Sequence, residues 1–166
     1  EPCDPNGRSS TCSSYLFHYA RVCAPDGEGV AVCQRPGTCS HPLELNTIGA
    51  MAGPGTLFIS HGWINGEGDD NESVGCSVGP GEDQLWRLHV AQRSTVSIDV
   101  EAGAGVDTLL SIMSDCADPL SEIECMDIAG GGELIELGDV DGGTDLYILV
   151  DTPILPNDAG VYAVAG

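Results

Sequence analysis

The chain has 166 residues, 42% of them hydrophobic, which suits one ordinary domain or a small one beside a medium one. Twenty-six acidic residues stand against five arginines and no lysine, a formal net charge of −21. That excess repels nucleic acid and anionic membranes, and the missing lysine removes Schiff-base chemistry and any Walker-type phosphate loop.

The chain opens at Glu1-Pro2-Cys3, as a processed mature protein does. Its eight cysteines are an even number in a short chain, which predicts complete pairing in an oxidising compartment, hence a secreted or surface location. No run of about eighteen apolar residues is present, so no membrane insertion is expected. Cys3, Cys12, Cys23, Cys33 and Cys39 crowd the first stretch, where aliphatic residues are too few to build a core. Residues 1–38 therefore read as a small Cys-rich module in which bridges substitute for burial. Gln34-Arg35-Pro36-Gly37 would be the turn leading out of it. Within it, 15–22 and 30–33 flank Pro25-Asp26-Gly27-Glu28-Gly29 and predict a hairpin. Tyr15, Phe17 and Tyr19 alternate on one face of the first strand, and so small a module has little interior to cover them. They either pack on the neighbouring domain of the same chain or form an interface with a second copy or a partner. The cysteine spacing resembles that of small secreted knot-like modules. That resemblance implies the pairs Cys3–Cys23 and Cys12–Cys33, although four cysteines allow three pairings.

Residues 39–166 carry the signals of an all-β domain. In 85–91, Trp86, Leu88 and Val90 alternate with Arg87 and His89. Val96, Ile98 and Val100 repeat the pattern, with Ser97 and Asp99 outward. Further strands are predicted over 108–113, 133–137, 146–150 and 161–165, separated by turns such as Gly130-Gly131-Gly132 and Asp141-Gly142-Gly143. Short strands at this spacing predict an antiparallel β-sandwich or jelly roll.

Several stretches, taken in order, resemble the bacterial pre-peptidase C-terminal family, a β-sandwich module of secreted proteins. They are Cys39 with Leu43 and Leu45, the acidic loop ending in Cys76, and Asp83-Gln84-Leu85-Trp86-Arg87-Leu88. Asp107-Thr108-Leu109-Leu110 follows, then Cys116 and Cys125, Asp145 to Asp151, and Gly160-Val161-Tyr162-Ala163-Val164. The resemblance implies bridges Cys39–Cys76 and Cys116–Cys125, and a non-catalytic accessory role in secretion, stability or surface binding. Within these 166 residues the expected organisation departs from the family's usual setting, a Cys-rich module and not an enzyme domain standing ahead of the sandwich.

Calcium is the expected cofactor. Asp69, Asp70, Asn71 and Glu72 crowd oxygen ligands into one loop, with Asp83 shortly after it and Asp127 next to Cys125. The same run also reads as a solvated acidic loop, and Asn71-Glu72-Ser73 is a glycosylation sequon. Asp139-Val140-Asp141-Gly142-Gly143-Thr144-Asp145 begins like a calcium loop but lacks the later glutamate, and a hairpin turn explains it better. His18, His41, His61 and His89 are scattered, no His-Glu-x-x-His or Gly-x-Ser-x-Gly motif occurs, and no catalytic residue is assigned. Ser60 and His61 fall on one predicted strand and so face opposite sides. Trp63, between glycines, could stack on sugar from a loop or be core. Two functions follow. The first is a cell-surface structural protein, such as a self-associating subunit of a filament, appendage or adhesive matrix. The alternative is a calcium-dependent accessory module that binds polysaccharide or a matrix protein. The absence of lysine fits a GC-rich bacterial source.

Overall fold

In a computed structural model of the chain, the described residues are 22–25, 31–34, 37–45, 55, 59–64, 73–76, 83–103, 106–130, 132–152 and 160–165. Strands β1 (Val22–Pro25) and β2 (Ala31–Gln34) pair antiparallel as a separate two-stranded sheet, with Cys23 opposite Cys33. The strand paired with Ala31–Gln34 is thus Val22–Pro25, which includes Pro25 of the expected turn; the expected strand 15–22, apart from Val22, and residues 26–30 lie outside the described residues. Tyr15, Phe17 and Tyr19, together with Cys3 and Cys12 and hence the bridges expected for them, lie outside the described residues.

The sandwich is built from β3 (Leu43–Glu44), β4 (Ile59–Ile64), β5 (Asp83–Val90), β6 (Ser94–Ala102), β7 (Leu109–Met113), β8 (Glu122–Asp127), β9 (Glu133–Val140), β10 (Thr144–Asp151) and β11 (Gly160–Ala165). Five strands form one sheet in the order β3-β5-β10-β7-β8, and four form the other in the order β4-β11-β6-β9. All pairings are antiparallel except β3 with β5. Gly37 already bonds to β5 through the Leu85 amide at 2.8 Å, so the sandwich begins slightly ahead of Cys39.

The alternation seen in the sequence is the alternation of the faces. On β6, Val96, Ile98 and Val100 are buried while Thr95, Ser97 and Asp99 are exposed. Trp86, Leu88 and Val90 of β5, Leu110 and Ile112 of β7, and Leu146, Ile148 and Val150 of β10 meet Val96, Ile98, Val100, Ile135, Leu137 and Val164 of the other sheet. Burial of each such side chain contributes about 1.5–3 kcal/mol. The five-stranded sheet is covered on its outer face as well. There Leu85, Met113 and Leu149 pack together beneath Cys39, Cys116 and Tyr147. This double cover explains why β7 is buried at every position, as a strand with both faces packed must be. On the outer face of the four-stranded sheet, the described side chains Ser97, Asp99, Glu101, Leu134 and Glu136 of β6 and β9 are exposed.

The Asp139–Asp145 segment corrects the expectation of a hairpin. β9 pairs with β6 and β10 with β5 and β7, so this segment is a corner between the two sheets. It abuts the other corner, between β5 and β6. The Gly143 amide donates to the Val90 carbonyl at 2.7 Å, and Arg93 reaches Asp139 at 3.0 Å and Asp141 at 4.0 Å. A Cβ on Gly142 would press on the Ala91 carbonyl and the Gln92 Cα at 3.0 Å, which is why a glycine stands there.

Candidate functional site

Two bridges fasten covering segments to the outer face of the five-stranded sheet. They join Cys39 to Cys116 and Cys76 to Cys125, and no free cysteine occurs among the described residues. The pairs Cys39–Cys76 and Cys116–Cys125 implied by the resemblance are therefore corrected to a crossed arrangement. The reason lies in the β7–β8 hairpin. Cys125 faces Ser111, three residues into β8 from Glu122, which faces Met113. Cys116 lies beyond the end of β7 and packs with Cys39 over Leu85, Met113 and Leu149, whereas Cys125, within β8, meets Cys76 from the segment held by Glu122.

Glu122 organises the second covering segment. Its Oε2 accepts from Ser73 Oγ at 2.5 Å, Ser111 Oγ at 2.7 Å and the Val74 amide at 3.2 Å, and its Oε1 accepts from the Gly75 amide at 2.6 Å. Ser73 Oγ also accepts from the Cys76 amide at 3.2 Å. Burial works against ionisation of this carboxyl. The hydrogen bonds from Ser73, Ser111, Gly75 and Val74 outweigh it and hold the group below its ordinary range. A Cβ on Gly75 would collide with Oε1 and crowd the Cys125 sulfur, so glycine is required for the segment to lie this close. Ser73, the first described residue after the acidic run, is thereby tied to β8.

A second buried carboxyl ties the two sheets together near the β8–β9 connection. Glu133, the first residue of β9, is fully buried and accepts a hydrogen bond from the equally buried Thr108, just before β7. Its Oε1 has no hydrogen-bond partner among the described residues. Burial, with help from the nearby charges of Asp107 and Asp127, pushes its pKa up against the opposing bond from Thr108. Asp107 Oδ1 accepts from the Gly130 amide at 2.8 Å, so Asp107-Thr108 clasps both the β8–β9 connection and the start of β9.

Of the expected calcium ligands, Asp69, Asp70, Asn71 and Glu72 lie outside the described residues. Asp83 is buried at the start of β5 and Asp127 is exposed at the end of β8. The register runs Asp83, Asp151, Leu109, Asp127 across four strands. Three strand spacings, about 14 Å, separate the two acids, so one Ca²⁺ is not shared between them. Among the described residues no three His, Cys, Asp or Glu side chains group for a metal ion. His89 pairs with Asp145 at 2.7 Å, and Arg87 with Glu44 at 2.5 Å. Trp63 lies on β4 opposite Val161, on a strand and not a loop, with Ser60 and His61 on the same strand.

The remaining feature is the side of the sandwich where both sheets end. β8 is the edge of one sheet and β9 of the other. Among the described residues, the large apolar side chains left in water are Val74, Leu120, Ile123, Ile128 and Leu134. Leu120 sits in the short 3-10 helix Pro119–Ser121 that leads into β8, capped by Asp118 Oδ1 accepting from the Leu120 amide at 3.0 Å. Ile123 is the unopposed residue of a bulge, since Met113 faces Glu122 and Ile112 faces Glu124. Sequence reading missed β8 altogether because Glu-Ile-Glu-Cys-Met-Asp lacks clean alternation, and it missed Glu122. A signal for Glu133 was present: it is in phase with Ile135 and Leu137, the inward positions of β9.

No family model and no curated protein matches the chain. Among solved structures it is similar to the pre-peptidase C-terminal domain of collagenase from Bacillus anthracis, at 15% identity and TM-score 0.47, over 75% of this chain and 92% of that one. It is also similar to Aeromonas hydrophila PliG, a periplasmic inhibitor of g-type lysozyme, at 10% identity and TM-score 0.44, over 75% and 94% of the two chains. A family 35 carbohydrate binding module from an environmental isolate shows 16% identity and TM-score 0.37, over 66% and 90%.

Proposed function

We propose that this chain is a secreted, non-catalytic β-sandwich module that binds an extracellular partner through its β8–β9 side. The observation that carries the reading is the concentration of exposed apolar side chains there, where the rest of the described surface is polar. A soluble protein leaves such a cluster open chiefly where something covers it. The bridges and the clasp around Thr108 and Glu133 hold that side rigid, which lowers the entropic cost of docking. Calcium held by the 69–72 run belongs to the same proposal, as a means of stiffening the loop that ends at Ser73.

Self-association into a surface filament is the second reading. An isologous contact through this side would bring two acidic surfaces together, Glu124 and Glu136 among their carboxylates, which disfavours it. The test is an array of glycans and matrix proteins probed with the wild type and with Leu120→Ser/Ile123→Ser. A hit that the double variant loses supports the proposal. An array with no hit, in the presence of Ca²⁺, overturns it.

A further inference from the structure

The chain from residue 94 to residue 166 contains no lysine, arginine or histidine, so β6 to β11 contribute only negative charge. The β8–β9 side is drawn from this stretch apart from Val74. Its apolar side chains, of which Leu120 is 83% exposed and the others 46–56%, stand close in sequence to exposed Asp115, Asp118, Glu124, Asp127 and Glu136. From Ile123 to Ile128 is about 17 Å of strand. A length of that order lies within the reach of one interface of ordinary size, about 800 Å² on each partner.

The geometry points to a protein partner that presents lysine or arginine beside apolar side chains, docking on the β8–β9 side. This rests on the binding reading above and adds the chemistry of the partner. Apolar anchors supply affinity once water is excluded, and the ring of carboxylates supplies steering and orientation toward a cation. Among the described residues, neither arginine lies against these acids. Arg87 is paired with Glu44, and Arg93 faces Asp139 and Asp141 at the far corner. The same ring repels a second copy of this chain, and a neutral glycan would gain nothing from it.

The test uses the intact, oxidised protein and a peptide alternating lysine with valine, with fluorescence anisotropy at about 150 mM salt, where distant charges are screened. The expected result is saturable binding, weakened about tenfold or more by Ile123→Ser/Leu134→Ser and by Glu124→Gln/Glu136→Gln. Asp139→Asn/Asp141→Asn removes the same charge at the other end of β9 and should change binding less than about twofold. Circular dichroism confirms that each variant is folded. No saturable binding overturns the inference. So does an equal loss in the Asp139/Asp141 variant, which would mark a diffuse polyanion effect. A neutral glycan whose binding is lost in Ile123→Ser/Leu134→Ser would also overturn it, while leaving the binding reading in place.

Discussion

Replacing Glu122 with glutamine changes one atom and nearly nothing in shape, yet it strikes the point that holds the 73–76 segment to the sheet. Three donors converge on Oε2 and one on Oε1. An amide offers a single oxygen, so its better orientation keeps Ser73, Ser111 and Val74 and turns its NH2 against the Gly75 amide. One charge-assisted bond is lost and three are weakened. A hydrogen bond to a charged group contributes about 1.5–3 kcal/mol, and the partly solvated setting places the expected loss near the lower end, about 2 kcal/mol. Urea unfolding at pH 7 with the bridges intact measures it. The pH dependence is a second, independent mark. The folded-state pKa of Glu122 lies below its ordinary value of about 4.5. Its stabilisation is therefore present above that ordinary value and lost as pH falls through the folded value. The glutamine variant lacks this loss, so the two stabilities should converge in acid. A difference under about 0.5 kcal/mol at pH 7, or one that does not change with pH, refutes the assigned role.

Glu133 predicts the opposite limb. Its folded pKa is raised, so the associated stability is present below the ordinary value and declines as pH rises through the folded one. Glu133→Gln should gain on the wild type by up to about 1.4 kcal/mol per pH unit within that window, and parallel profiles would contradict it. Peptide mapping of unreduced protein should recover Cys39 linked to Cys116 and Cys76 linked to Cys125; a Cys116–Cys125 peptide would discard the crossed arrangement. Removing either bridge by paired Cys→Ala substitution should lower stability by up to about 4 kcal/mol, given loops of 77 and 49 residues, as read from the urea midpoint. For calcium, EDTA should lower the melting temperature of the untreated protein, and an unchanged melt removes the ion from the proposal.

Period-two alternation was enough to read most of the sandwich. It marked Trp86, Leu88 and Val90 as core against Arg87 and His89, and Val96, Ile98 and Val100 against Ser97 and Asp99, because side-chain direction along a strand is local. What sequence could not yield was contact between distant segments. Which cysteines meet depends on the β7–β8 register, and a bulge at Ile123 shifts that register. Whether Asp139–Asp145 closes a hairpin or turns a corner depends on which sheet receives β10, which no local residue encodes. Glu122 and Glu133 both look like ordinary surface acids in the sequence. Their burial arises from Ser73, Ser111 and Thr108, which lie 49, 11 and 25 residues away. Asp83 and Asp127 are near in kind but are separated by the width of the sheet.

Crossing the two bridges has a consequence for a protein that meets proteases. With Cys39 joined to Cys116 and Cys76 to Cys125, any single cleavage between residues 39 and 125 leaves its two products covalently tied. Sequential pairing would have released them after a cut in the stretch from 77 to 115, which holds β5, β6 and β7. A nicked molecule can therefore stay in one piece and keep β8 beside β9.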